Sequence, residues 1–114
     1  MSTVFGKIVR GEIPCSKVFE NERILAFKDI APKAPVHLLI IPKKEIRSLQ
    51  EVAQEDFPLV TEMMSVAQSL AREFSIADGY RIVINNGEKG GQVVEHLHLH
   101  LLGGRQLSSH LDLE

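Results

Sequence analysis

Cysteine is nearly absent. Cys15 stands alone in a chain of 114 residues, so no internal disulfide can form. Tryptophan is missing altogether, and one tyrosine and five phenylalanines are few for a platform that stacks single-stranded nucleic acid. Neither sign of charge dominates. Thirteen Lys and Arg stand against fifteen Asp and Glu, for a net charge of -2. That balance argues against bulk attraction to nucleic acid or an anionic membrane, while a local site for a small anion stays open. No apolar run approaches the ~20 residues of a membrane span. The start, Met1-Ser2-Thr3, lacks the basic run and apolar stretch of a signal peptide. Repeats, low-complexity tracts and linkers are also missing. The expectation is a cytoplasmic protein forming a single domain over 1–114, with no nucleic-acid or membrane partner.

Histidine and leucine are present in strict alternation. His96-Leu97-His98-Leu99-His100-Leu101-Leu102 has a period of two, which predicts a strand. Side chains two apart on a strand share a face, about 7 Å from one another. His96, His98 and His100 therefore line one face and the leucines the other. A buried leucine row fixes the register, because a one-residue slip would bury the histidines instead.

The rest of the chain supplies a frame. Ser2 or Thr3 can cap a short helix over 4–9, with Gly11 as its stop. Residues 17–19 and 24–28 predict two short strands around the Asn21-Glu22 turn. Residues 29–35, with Pro32 and Pro35, form a loop. Val36-His37-Leu38-Leu39-Ile40-Ile41 is almost continuously apolar, which predicts a central strand covered on both faces. Pro42 ends it, and a possible short turn follows over 48–52. One long helix runs from about 55 to 74, with Pro58 tolerable only near its first turn. Phe57, Val60, Met64, Ala67, Ala71 and Phe74 make one apolar stripe on that helix. Leu59, Met63, Val66 and Leu70 make a second beside it. Together they exceed the ~100° arc needed to cover one sheet. The surplus points to a second subunit, with Val66 expected on the open side. Residues 80–85 predict another strand, and 86–91 a tight loop with positive φ. Strands in runs with few helices indicate an α+β fold built on a mostly antiparallel sheet.

Three readings of the histidine row compete. A structural role fits poorly, since each imidazole brings two polar nitrogens that must be satisfied. A metal is the serious rival. One straight strand cannot wrap three ligands around an ion at ~2.1 Å, but His96 and His98 with His37 could. Nucleophilic or general acid chemistry on phosphorus is the third reading. The loop before the row favours it, because glycine-rich turns form anion-binding concavities from their amides. The plain alternative for Gly90-Gly91 is an ordinary hairpin connection.

The row, with Leu97, Leu99, Leu101 and Leu102 at its apolar positions, fits the signature of the histidine triad family at every place. The resemblance extends through Phe5-Gly6-Lys7-Ile8-Val9, Glu12-Ile13-Pro14, Ala26-Phe27-Lys28-Asp29-Ile30, Ala34-Pro35-Val36-His37, Ile41-Pro42-Lys43, Asp78-Gly79-Tyr80-Arg81, Gly90-Gly91-Gln92 and Leu102-Gly103-Gly104-Arg105. Within the family, the chain is most similar to the histidine triad nucleotide-binding branch, whose members are purine nucleoside phosphoramidases.

The resemblance implies a five-stranded sheet with one long and one short helix, continued across a homodimer whose long helices meet. It also implies a two-step hydrolysis at the α-phosphorus of a purine nucleoside monophosphate derivative. His98 is then the nucleophile and His96 orients it through its backbone carbonyl. His100, Asn85, Gly91, Gln92 and Val93 lie at the phosphate, and His37 supports the triad. Asp29 accepts the ribose hydroxyls. Val4, Phe5, Ile8, Phe27 and Ile30 wall the base, the plain alternative for each being core. Neither metal nor cofactor is implied. A purine nucleotide-binding regulatory module and a dinucleoside polyphosphate hydrolase are the alternatives. Departures from the branch are Val93, where serine is common, Glu95, where tyrosine is common, and a tail after Arg105 without tryptophan. Glu95 is expected to face solvent, His110 to be a solvated tail residue, and Cys15 to be packed.

Overall fold

The computed structural model describes residues 3–109. Ser2 and His110 lie outside them. Helix α1, Val4–Val9, opens on Thr3, whose hydroxyl oxygen accepts the Gly6 N–H at 3.0 Å. Strands β1, Lys17–Glu20, and β2, Ile24–Lys28, form a hairpin. Its turn is held by the Asn21 side-chain oxygen, which accepts the N–H groups of Arg23 and Ile24 at 2.8 Å each. Strand β3 is Val36–Pro42. Two short 3-10 turns, Leu49–Glu51 and Gln54–Asp56, lead into helix α2, Phe57–Glu73. The second turn takes the residues expected to start the helix. Pro58 sits in the first turn, where its missing N–H leaves no helical bond unmade.

Strand β4 is Tyr80–Val83, two residues shorter than expected, and β5 is Leu99–Gly103. The sheet has the order β1-β2-β3-β5-β4, with every neighbouring pair antiparallel. This is the expected α+β fold. Among the described residues, no helix is long and apolar enough to cross a membrane.

Both faces of the sheet centre are covered, as the apolar run over 36–41 requires. Ile24, Ala26, Leu38, Ile40, Leu99 and Leu101 pack with Met63, Val66, Ala67 and Leu70 of α2. On the other face Leu25, Phe27, Leu39 and Ile41 pack with Phe5 of α1, and half-buried Cys15 joins the edge of that cluster. Burial pushes the Cys15 thiol pKa up, which suits a packed residue.

The two stripes of α2 are distributed differently from the expectation. Val66 is only 6 % exposed and belongs to the core. The open apolar side carries Phe57 at 45 % and Met64 at 43 % exposure, with half-buried Val60 between them. The sheet lies under Met63, Val66 and Leu70 of the second stripe together with Ala67 and Ala71 of the first. The angular pattern of a helix shows how wide its apolar arc is, but not which half meets the sheet.

Candidate active site

The alternation of the histidine row holds in space, although the row is not all strand. Leu97, Leu99 and Leu101 are fully buried against α2, while His96 and His98 are buried on the opposite face and His100 half-buried there. Each fully buried leucine is worth roughly 1.5–3 kcal/mol over an exposed one, so the register is strongly held. The ladder nevertheless starts only at Leu99. Pro42, opposite Leu97 when the β3–β5 register is extended, has no N–H to offer. Its carbonyl oxygen accepts the His96 Nε2–H at 2.8 Å, and the Leu97 N–H goes to the Ile46 carbonyl at 2.7 Å. His96 and His98 therefore stand just ahead of β5, held by side-chain and loop bonds.

These bonds set the tautomers of all four buried or half-buried histidines. A carbonyl oxygen only accepts, so His98, 2.7 Å from the His96 carbonyl, carries its proton on Nδ1 and leaves a lone pair on Nε2. The Lys33 N–H donates to His37 Nδ1 at 3.0 Å, which puts the His37 proton on Nε2. That proton goes to His100 Nδ1 at 2.9 Å, so His100 carries its own on Nε2. Asp29 stands 3.4 Å from His37 Nε2. Loss of hydration lowers the pKa of His37, His96 and His98, and that of His100 falls to about 4 with the further influence of His98 and His37 beside it. The row is therefore neutral near pH 7. The Phe5 ring lies edge-on to His98 at 5.0 Å and to Phe27 at 5.5 Å. It shields the nucleophile candidate as much as it could wall a base.

Asp29, His37 and His100 bring one ligand atom each within 4.8 Å of one another, a set that could hold an ion. The hydrogen bonding opposes it. A metal at His37 Nε2 needs a lone pair there, while Nδ1 already uses its own on the Lys33 N–H. Metal-bound histidines instead donate their second nitrogen's proton. The expected trio of His96, His98 and His37 is not brought together either, because His96 Nε2 is tied to Pro42.

The 85–94 loop has the expected positive φ, at Gly87 (74°) and Gly91 (87°). Its polar groups also bond to one another. The N–H groups of Gly87, Gly90, Gly91 and Gln92 all bond within the loop. Asn85 donates to the Gly90 carbonyl at 2.9 Å. The Gln92 amide clamps the loop, accepting the Gly87 N–H at 2.8 Å and donating to the Arg47 and Val94 carbonyls at 2.7 and 2.9 Å. Asn85, Gly91 and Gln92 thus shape the loop. Val93 is almost fully exposed at its end. Ile30 is fully exposed beside Asp29, while Val4 is exposed and Ile8 half-buried on α1. The Asp29 carboxylate accepts the Ala31 N–H at 2.8 Å.

The HIT domain family matches residues 10–107, and these hold both the histidine row and His37. The chain belongs to the HIT family. A HIT-like protein of Chlamydia pneumoniae is 58% identical over 107 residues, covering 94% of this chain and 97% of its own. The crystal structure of a HIT family hydrolase from Legionella pneumophila superposes with a TM-score of 0.92 at 49% identity, over 95% of this chain and 97% of that one. A histidine triad nucleotide-binding protein from Candida albicans does so with a TM-score of 0.80 at 31% identity, over 97% and 87%. The described HIT chain thus has the fold of these solved relatives across nearly its whole length.

Three contributors escaped the sequence reading of this HIT domain. Lys33 fixes the His37 tautomer through its backbone, where residue identity leaves no trace. Arg105 donates to the Lys33 carbonyl at 3.2 Å. Arg47 holds Glu95 at 2.6 Å, so Glu95, although exposed, is anchored. Opposite charges at 47 and 95 were visible, but no period links a loop to a residue 48 positions away.

Proposed function

We infer that the chain is a nucleotide-binding hydrolase acting at the α-phosphorus of purine nucleoside phosphoramidates or acyl nucleotides. The observation that carries this reading is the bond from His98 Nδ1–H to the His96 carbonyl at 2.7 Å. It leaves a neutral, unprotonated Nε2, the form in which imidazole attacks phosphorus. In the first step the Nε2–P bond forms and the bond from phosphorus to nitrogen or acyl oxygen breaks; an amine leaves with a proton, an acyl group as the carboxylate. In the second, water attacks the phosphorus, the Nε2–P bond breaks, and the 5'-monophosphate departs. His100, protonated on Nε2, donates to a phosphoryl oxygen, where negative charge grows. Asp29 accepts the ribose hydroxyls, and Phe5, Ile8, Phe27 and Ile30 border the base. The Val93 N–H, which makes no bond among the described residues, supplements His100 at the phosphate.

The relatives support the class, one being described as a hydrolase and another as nucleotide-binding. The same reading makes the chain a homodimer. Supporting it are the open apolar side of α2 at Phe57 and Met64 and the edge position of β4.

The test is turnover on a panel of adenosine and guanosine phosphoramidates, an acyl adenylate and diadenosine polyphosphates, with intact-mass analysis of quenched reactions. Release of monophosphate together with a protein adduct one nucleotidyl group heavier is expected. Tight nucleotide binding without turnover would favour a regulatory module. Turnover of the polyphosphates alone would favour the dinucleoside polyphosphate hydrolase.

A further inference from the structure

The loop over 29–35 leads from Asp29 to the strand of His37, and little in its own sequence holds it. Ile30, Ala31, Pro32, Lys33 and Pro35 are exposed, and the two prolines have no N–H to give. Its bonds run to itself, to His37 and to one residue beyond the histidine row. The Asp29 N–H donates to the His37 carbonyl at 3.0 Å, and the Ala31 N–H to the Asp29 carboxylate at 2.8 Å. The Lys33 N–H donates to His37 Nδ1 at 3.0 Å, and the Lys33 carbonyl accepts from Arg105 at 3.2 Å.

Arg105 stands two residues past the end of β5, the strand that carries His100. Its guanidinium also donates to the Gln106 carbonyl at 3.1 Å, so it spans two carbonyls. Gly104 lies at φ 98°, and a Cβ there would stand 2.9 Å from the Pro35 Cβ. Only glycine lets the strand end lie this close on the loop. One polar contact and one steric contact thus bring the same short segment onto 33–35.

Lys33 is thereby held on both sides, by His37 at its N–H and by Arg105 at its carbonyl. The bond one ring nitrogen makes decides the proton on the other. With Nδ1 kept as an acceptor, His37 Nε2–H meets His100 Nδ1 at 2.9 Å, and the His100 proton stays on Nε2. Asp29, 3.4 Å from His37 Nε2, favours the same arrangement, but it belongs to the same loop.

We propose that Arg105 is a positioning residue: it holds Lys33 against His37, and so keeps His37 Nδ1 an acceptor and His100 Nε2 a donor. It acts through these two rings and not on the nucleotide. This deepens the hydrolase reading above, in which His100 Nε2–H meets the phosphoryl oxygen. An Arg105 that merely anchored the chain after β5 would leave the ring nitrogens as they are when removed.

Arg105→Ala tests it, and because Arg105 is exposed the core stays intact. Long-range proton–nitrogen correlation spectra of protein carrying isotope-labelled histidine, at neutral pH and without nucleotide, read the proton on each ring nitrogen. In the wild type His37 Nδ1 should resonate as a bare acceptor. In Arg105→Ala it should shift toward the protonated position, and Arg105→Lys, which keeps a donor, should restore most of the wild-type signal. On a nucleoside phosphoramidate, kcat of Arg105→Ala should fall by about three- to tenfold, the size of one hydrogen bond, with little change in KM. A wild-type His37 protonated on Nδ1, identical histidine spectra in wild type and Arg105→Ala, or a kcat equal to wild type would overturn the proposal while leaving the hydrolase reading intact. Expected spectra in a wild type that cleaves no phosphoramidate would overturn the hydrolase reading and leave Arg105 as the residue that sets the rings.

Discussion

His98 Nδ1 lies 2.7 Å from the carbonyl oxygen of His96, two residues back along its own chain. A candidate nucleophile oriented by the backbone of its own segment is hard to mis-set, because the peptide plane fixes where the oxygen points. Replacing His98 by alanine removes the nitrogen proposed to attack and leaves the carbonyl and the Asp29 carboxylate in place. Turnover of a nucleoside phosphoramidate should fall more than about a thousandfold. Monophosphate binding, measured by calorimetry, should persist. A His98→Ala rate near wild type would mean that another group attacks.

The depressed histidines also link stability to pH. The pKa of His100 is about 4 in the folded chain, below its ordinary value near 6.5, because burial and two neighbouring imidazoles disfavour its cation. Between those values the unfolded chain binds the extra proton and the folded chain does not. Stability is therefore full above about pH 6.5 and declines as the pH falls toward 4, by up to about 3 kcal/mol from this group. The shifts of His37, His96 and His98 act in the same direction. Urea unfolding at pH 7 and pH 5 tests this; His100→Asn should flatten the slope. A wild-type midpoint that does not move would contradict it.

The exposed apolar side of α2 carries the prediction on assembly. Met64 is 43 % exposed, so Met64→Arg leaves the core untouched. At an interface it would place an unpaired charge among apolar groups, which costs several kcal/mol. Wild type should sediment as a dimer at low micromolar concentration, and Met64→Arg as a monomer with an unchanged circular dichroism spectrum. Val66→Arg, by contrast, should unfold the chain rather than separate subunits, since Val66 points from α2 into the core. A monomeric wild type would end the dimer reading.

Much of this was legible in the residues themselves. Alternation at 96–102 sorted histidines from leucines, and the unbroken apolar run at 36–41 announced a strand covered on two faces. Both are consequences of a period of two, which a sequence displays directly. His37 was singled out as support for the row, and the register brings it to His100. What stayed hidden depends on groups every residue carries. The Lys33 N–H that sets the His37 tautomer and the Arg47 carbonyl that holds Gln92 are backbone atoms. The late start of β5 needed the register against Pro42, a partner more than 50 residues away. Gln92 and Asn85 have side chains suited both to a phosphate and to their own loop, and only coordinates show the loop taking them.

Val93 breaks the pattern of the phosphoramidase branch that the chain resembles, and it stands almost fully exposed at the end of the loop. A serine there would add a hydroxyl able to bond a phosphoryl oxygen or pass a proton toward the leaving group. Valine fills a similar volume and leaves only its backbone N–H. A hydrogen bond to a charged group is worth roughly 1.5–3 kcal/mol, and about 1.4 kcal/mol is tenfold in rate. Val93→Ser should therefore speed cleavage of amine leaving groups, which need a proton, by about ten- to a hundredfold. Acyl leaving groups depart without one, so on an acyl adenylate the two proteins should differ little. The high exposure of Val93 keeps the substitution free of packing effects, and any change in rate then reports the hydroxyl itself. Steady-state rates of both proteins on one phosphoramidate and one acyl adenylate decide it. Equal rates on the phosphoramidate would show that His100 Nε2–H or a water already delivers the proton.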